Sequence, residues 1–313
     1  MERFLVTGAA GFIGSHLCER LLGAGARVVG VDRFSSYYAR ADKEENLAAL
    51  KGMKNFEFHE IDLSGDPLEG LLERVDGVFH LAAQAGVRAS WGKSFEVYLA
   101  DNLLATQRLL EGVKGRPVRR FVFASSSSVY GEGAEGPTRE DSPKRPLSPY
   151  GVTKLGGENL CNLYHQNHGV PAVSLRYFTV YGPRQRPDMA FHRFLEAGLR
   201  GEPISLYGDG EQSRDFTYVA DAVEGTFAAM EKGGPGAVYN IGGGQRATVN
   251  EVLRCIEEIQ GAPLRVSRED AQKGDVRHTW ADTSRARAEL GFRPRISLRE
   301  GLRAEREWLM RRG

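Results

Sequence analysis

The chain has 313 residues, 41% hydrophobic and 27% charged, with 42 Lys and Arg against 41 Asp and Glu. A net charge of +1 gives no reason to expect nucleic acid or an anionic membrane as partner. No apolar run approaches the roughly 20 residues that span a bilayer, and the chain enters its first strand without space for a secretory leader.

Phe4-Leu5-Val6 reads as a short strand, followed by the turn Gly8-Ala9-Ala10-Gly11-Phe12-Ile13-Gly14 and a helix with Leu17, Leu21 and Leu22 on one side. A second strand at 27–31 ends at Asp32. In such a unit Gly8 permits the tight turn, Gly11 lets backbone approach a pyrophosphate, and Gly14 lets the helix pack close to the strand. The helix N-terminus then offers free N–H groups to phosphates. Asp32 suits a ribose diol and disfavours a 2′-phosphate, which favours NAD over NADP; Arg33 beside it suits the phosphate instead.

Residues 33–55 are polar, with one helix near 44–50. Residues 55–61 alternate as a third strand ending at Asp62-Leu63, where Asp62 either meets the adenine amino group or caps the next helix. The fourth strand, 77–81, ends at Leu81 in Ala82-Ala83, small enough for a cofactor to come close; His80 within it reads as a core histidine. Residues 95–113 have helical spacing and carry Asn102. The fifth strand, 121–124, runs into Ser125-Ser126-Ser127-Ser128, and a helix from Tyr150 to His168 carries Lys154. Tyr150 and Lys154 are four apart and share a helix face, so an ammonium there is expected to lower the phenol pKa towards neutrality, with a serine hydroxyl bonding the reacting oxygen. The sixth strand is 171–176.

Beyond Arg176 the pattern loosens. Residues 177–184 read as loop, with Tyr177 at their start and Thr179 and Arg184 within; Arg186 follows, and a helix ends at Arg200. Strands at 204–207 and 238–241, helices at 219–230 and 249–259 (the second capped by Thr248), a basic strand at 264–266 and a helix near 298–309 complete the chain. Alternating strands and helices of this length imply a doubly wound parallel sheet of the Rossmann type, with its site at the carboxyl ends of the strands, and a smaller C-terminal α/β substrate-binding domain. Cys18, Cys161 and Cys255 lack metal-type spacing and read as buried thiols of a reducing cytoplasm; no metal is expected.

The sequence resembles the extended short-chain dehydrogenase/reductase superfamily, and within it the nucleotide-sugar epimerases and dehydratases. The resemblance rests on TGAAGFIGSH (7–16), HLAAQAGV (80–87), SSVYG (127–131), PYGVTK (149–154), RYFTVYGPR (176–184), RDFTYVAD (214–221), YNIGGG (239–244) and a GD…AD…LGF run near 274–292. It implies catalytic roles for Ser126, Tyr150 and Lys154, and NAD held by Gly8, Gly11, Phe12, Ile13, Gly14, Asp32, Arg33, Asp62, Leu63, Leu81, Ala82, Ala83, Tyr150, Lys154 and Tyr177. ASSSSVYG (124–131), QAGVR (84–88) and RPDMA (186–190) are most like the UDP-glucuronate 4-epimerases; the dehydratases' Thr-Asp-Glu is absent at 126–128, and Thr179 replaces a usual Asn. Candidates for the nucleotide sugar are Arg88, Ser127, Ser128, Thr179, Arg186, Tyr207, Arg214 and Arg277, with Arg214 and Arg277 for the diphosphate because Gln272 stands where an Arg is common. The implied organisation is a cofactor domain of 1–177, rejoined by 215–245, and a sugar-binding domain of 178–214 and 246–313. A homodimer through the 95–113 and 150–168 helices is implied as well. Competing readings are a neutral-sugar 4-epimerase, a net dehydrogenase that releases NADH, and a nucleotide-binding regulator, which would need no Brønsted pair.

Overall fold

The computed structural model describes residues 1–132, 136–270 and 276–312; Gln272 and the Gly274-Asp275 pair lie outside them. The strands are β1 (Arg3–Thr7), β2 (Arg27–Asp32), β3 (Phe56–Glu60), β4 (Gly77–His80), β5 (Phe121–Ser126), β6 (Ala172–Tyr177), β7 (Val180–Tyr181), β8 (Ile204–Tyr207), β9 (Ser213–Tyr218), β10 (Val238–Ile241), β11 (Gln245–Thr248) and β12 (Val266–Glu269). The helices are α1 (Phe12–Gly23), α2 (Arg40–Ala48), α3 (Phe95–Tyr98), α4 (Ala105–Val113), α5 (Pro149–His168), α6 (Ala190–Arg200), α7 (Val219–Lys232), α8 (Val249–Gln260), α9 (Ser284–Leu290) and α10 (Leu298–Arg312).

Seven strands form one parallel sheet in the order β10-β6-β5-β4-β1-β2-β3. The order reverses between β1 and β4, so a crevice opens at their carboxyl ends. Side chains alternate across each strand. Phe4 and Val6 pack with Leu17 and Leu21 of α1, Ala222 and Ala229 of α7 and Leu290 of α9. Leu5, between them, faces the other side with Val78, Phe121 and Phe123, under Leu109 and Leu110 of α4 and Cys161 of α5. Strands buried on both faces are continuous apolar runs, and 121–124 is one. A separate core of Phe191, Leu195, Leu206, Phe216, Ile256 and Leu302 holds the remaining elements together.

Several boundaries differ from the sequence reading. The 33–55 helix is α2, starting four residues earlier than expected. The stretch 177–184 is not all loop: β7 pairs in parallel with β9, which pairs antiparallel with β11. These short strands carry no periodicity of their own and exist because they find distant partners. The basic strand falls at β12 rather than 264–266, set by its parallel register with β8. The 95–113 helix contains a π turn, Leu99–Leu104. Within that turn the Asn102 amide donates to the Gln84 carbonyl at 3.1 Å and the Gln84 N–H donates back to Asn102 Oδ1 at 2.8 Å. Cys18 and Cys161 are buried, but Cys255 is only half-buried. No helix among the described residues is long and apolar enough to cross a membrane.

Candidate active site

The turn after β1 is shaped by its glycines. Gly8 has φ +71°, and a Cβ there would stand 2.9 Å from the Ala82 backbone nitrogen. A Cβ on Gly14 would fall 2.0 Å from the Gly8 carbonyl oxygen, so Gly14 serves the packing of α1 on the turn more than on the strand. Gly11 is the N-cap of α1, whose first turn holds no acidic residue, and the N-terminal N–H groups are left for an anion.

At the end of β2, Asp32 accepts from the Phe34 N–H at 2.8 Å and pairs with the buried Lys43 at 3.2 Å, both through Oδ1. Arg33 does not stand ready for a 2′-phosphate: it donates to Asp62 at 3.0 Å and Asp101 at 2.8 Å. Burial pushes the Asp101 carboxyl up to about 6, although Arg33 opposes the shift. Asp62 caps no helix; its Oδ1 accepts from Ser64 N–H and Oγ in a turn, and its other oxygen takes Arg33. His80 is a core residue, as read: it bonds Thr7 and Thr106, and burial lowers it to about 3.

Strand β5 and helix α5 bring the reactive groups together. Ser148 caps α5 by accepting from Gly151 N–H at 3.1 Å, and Pro149 occupies the first turn, where no intrahelical N–H is required. Tyr150 has the Ser126 hydroxyl beside its phenol. Ser126 Oγ accepts from the Ser128 N–H and donates to Ser128 Oγ, both at 3.1 Å. Lys154 donates to the Ala124 carbonyl at 2.8 Å, with its nitrogen 6.0 Å from the Tyr150 ring centre. The expected depression of the phenol by Lys154 is not found. Desolvation dominates and raises the Tyr150 pKa; the neighbouring Ser126 hydroxyl and the Arg186 charge only counter it. Burial likewise lowers Lys154 to about 8, against the smaller pull of Cys161 and Glu158. Two desolvated groups each favour their neutral form.

This has a consequence for stability. In the window between about 8 and the unfolded value of 10.5, the unfolded chain binds the Lys154 proton more tightly than the folded one. Its burial penalty is therefore full below pH 8 and fades as pH rises through the window. Urea denaturation of the protein and of a Lys154→Met variant should show the protein gaining stability relative to the variant across that range. A flat difference would mean the ammonium is not desolvated.

Behind these groups lies a buried network. Arg176, 2% exposed, forks onto Glu158 at 2.8 and 2.7 Å and donates to the Tyr130 hydroxyl at 2.7 Å. Ser125 donates to Glu158, and Tyr130 donates to Asn240 of β10. The network ties the ends of β5, β6 and β10 to the helix that carries Tyr150.

One cleft is lined by Gly8, Gly11, Phe12, Ile13, Gly14, Asp32, Arg33, Asp62, Leu63, Leu81, Ala82, Ala83, Tyr150, Lys154, Tyr177 and Arg186. All the residues expected to hold the cofactor are thus brought together. Tyr37, Tyr38, Lys43, Gln84 and Asp101 also line it and were missed: Tyr37 and Tyr38 carry no periodic signal, and Lys43, Gln84 and Asp101 lie in or beside recognised elements with no spacing that marks them as cofactor contacts. Ser126 lies against Tyr150, but Ser127, Ser128 and Thr179, all half-buried, lie outside this lining. The remaining substrate candidates meet in pairs. Arg88 stacks on Tyr207 at 4.6 Å, and Arg214 donates to the Arg277 carbonyl at 3.1 Å, while Arg277 pairs with the exposed Asp209. A glycine cradle at a helix N-terminus, a carboxylate at one end and a Tyr–Lys pair at the other fit a dinucleotide such as NAD.

The comparisons agree with this geometry. The chain is 49% identical over 311 residues to a Bacillus subtilis (strain 168) protein named "Uncharacterized UDP-glucose epimerase YtcB", covering 98% of each chain. It is 41% identical to a UDP-glucuronate 4-epimerase of Thermodesulfobacterium geofontis (strain OPF15), covering 98% of this chain and 96% of that one. Among solved structures it superposes on the Bacillus cereus UDP-glucuronic acid 4-epimerase in complex with UDP-glucuronic acid and NAD with a TM-score of 0.97. That pair is 46% identical over 99% of this chain and 100% of the other. Residues 4–242 match the model of one family, so the chain belongs to the NAD-dependent epimerase/dehydratase family.

Proposed function

We propose that the chain is an isomerase, a nucleotide-sugar 4-epimerase that converts UDP-glucuronate to UDP-galacturonate through a transient 4-keto sugar. The observation that carries this reading is the half-buried Tyr150 on the cleft wall with Ser126 against it, the neutral Ser127 and Ser128 where an acid pair would stand, and Arg186 close enough to act on the phenol. The likeness to glucuronate-binding relatives supports the same sugar.

Bound NAD would supply reversible hydride chemistry at C4. Tyr150 takes the 4-OH proton, and Ser126 bonds the same oxygen, which stabilises the charge as it develops. Lys154 would hold the nicotinamide ribose. Asp32 would hold the adenosine ribose, and the Gly8–Gly14 turn the pyrophosphate. The 4-keto uronate is a β-keto acid and loses CO₂ when its carboxylate aligns with the carbonyl. Ser127, Ser128 and Thr179 would serve as the compact neutral donors that prevent that, and Arg88 or Arg186 would supply charge. Arg214, Arg277 and Tyr207 serve the nucleotide and diphosphate.

In this reading residues 1–177, rejoined by 215–245, hold the cofactor, and 178–214 with 246–313 hold the sugar. Val97, Leu99, Leu104, Val152 and Leu163 are exposed on the 95–113 segment and α5. Exposed apolar side chains on these two segments suit a second copy, and a cytoplasmic homodimer is the assembly we favour.

The test is turnover. UDP-glucuronate should yield its C4 epimer with only trace free NADH; stoichiometric NADH would make the protein a net dehydrogenase. UDP-glucose or UDP-N-acetylglucosamine is the second reading, favoured by the name of the B. subtilis relative. In a Thr179→Val variant, loss of a hydrogen bond to a charged group, about 1.5–3 kcal/mol, should raise the ratio of decarboxylated 4-keto pentose to epimer by roughly tenfold to a hundredfold. Mass analysis of the products reads that ratio, and no added CO₂ loss would remove Thr179 as a carboxylate anchor.

A further inference from the structure

Three distant segments meet at the mouth of the cleft. Arg186 lines the cleft together with Tyr150. Its Nε donates to Asp188 Oδ1 at 2.9 Å and its Nη2 to Asp188 Oδ2 at 3.0 Å, a planar fork on a carboxylate. From the segment before α2, the Tyr37 hydroxyl donates to Asp188 Oδ2 at 3.2 Å. The Arg186 guanidinium lies over the Tyr37 ring at 5.6 Å. Tyr37 fits because Gly86, at φ +102°, leaves its hydroxyl room; a Cβ there would come within 2.3 Å of it. None of these contacts belongs to the Tyr150–Ser126–Lys154 set, and nothing in the local sequence requires them.

We propose that Asp188 is a positioning residue that holds Arg186 and sets how strongly its charge bears on Tyr150 and on an anionic sugar. The inference rests on the epimerase reading above. Asp188 occupies two of the five guanidinium N–H donors and leaves the rest for another acceptor. It also cancels part of the cation's field. Its carboxyl is held below the usual range: burial raises it, but the bonds from Arg186 and Tyr37 and the Arg186 charge outweigh that. The groups facing the pair are Tyr37 and Tyr38 before α2, Tyr98 on α3 and Tyr150 on α5, and burial raises all four phenols. At neutral pH the pair is therefore a cation and an anion among neutral rings. Asp188 acts as a resident carboxylate beside the residue expected to meet the substrate's carboxylate. It weakens the grip on a hexuronate enough for release, and keeps the guanidinium from swinging out.

The two roles separate in two variants. Asp188→Asn keeps an acceptor for Arg186 and Tyr37 but removes the charge. The uncancelled Arg186 then favours the Tyr150 phenolate, so the acid limb of kcat/KM should move to lower pH. The ratio of KM for UDP-glucose to KM for UDP-glucuronate should rise about threefold to tenfold, the effect of one partly screened charge. Asp188→Ala removes the tether too and should lower kcat for UDP-glucuronate about tenfold further, a loss that Asn rescues. Equal losses on both sugars in both variants, with an unmoved acid limb, would make Asp188 a structural residue only and overturn the proposal, as would wild-type behaviour of both. If the protein ignores UDP-glucuronate and turns over UDP-glucose, the hexuronate reading falls by itself. Asp188 is then judged on the acid limb with UDP-glucose: a downward shift in Asp188→Asn supports the proposal, and no shift overturns it.

Discussion

Replacing Tyr150 by Phe is expected to lower turnover at least ~100-fold, the lower range for removing an acid–base group, while NAD remains bound. The phenol is half-buried and desolvated, has Ser126 beside it and stands within the field of Arg186. No other titratable side chain is assigned to the 4-OH: Lys154 is occupied by the Ala124 carbonyl, and His80 is locked between Thr7 and Thr106. The ring itself packs edge-on against Tyr98 at 6.3 Å, and Phe fills the same volume, so folding should be spared. The sign of the pH dependence follows from burial. Because desolvation raises the phenol, kcat/KM should climb with pH as the phenolate forms, and the variant should lose that slope along with its rate. Steady-state kinetics from pH 6 to 10 reads both, and near-normal turnover in the variant would take Tyr150 out of the mechanism.

The second large effect is on stability. Arg176→Met should destabilise the protein by about 3–5 kcal/mol, the usual cost of leaving one charge of a buried pair alone. Arg176 and Glu158 are 2% and 6% exposed, and Met cannot replace the fork onto Glu158 or the bond to Tyr130. A double variant, Arg176→Met with Glu158→Leu, should recover much of the loss, since apolar replacement of both partners is often neutral. Urea denaturation at pH 7 measures each. A single-variant cost below about 1 kcal/mol would be surface-pair behaviour and would contradict the buried network. Because the network joins β5, β6 and α5, the single variant should also lose turnover through Ser126 and Tyr150.

The legible parts of this molecule are those with local signals. The Gly8–Gly14 turn, the acid that ends β2 and the Tyr150–Lys154 spacing all sit within single supersecondary units, and their cleft follows from the strand order. Strands β7, β9 and β11 were harder, since each is defined by its partner rather than by its own period. Arg176 was visible as the end of a strand, but its pairing with Glu158 required two buried elements to meet. Tyr37 and Asp188, 151 positions apart, carry no shared pattern at all. The Tyr150 pKa was misread for a related reason: spacing placed a cation beside a phenol, whereas burial of both decided the direction.

The central claim is inversion at C4 of a hexuronate by removal and return of the same hydride, with Tyr150 handling only the proton. UDP-glucuronate carrying deuterium at C4 tests it most directly, followed by NMR and mass analysis in ordinary water. The account predicts UDP-galacturonate that keeps the deuterium at C4, with little UDP-4-keto-pentose. Deuterium lost to solvent, or UDP-glucuronate left untouched under conditions that epimerise UDP-glucose, would contradict it.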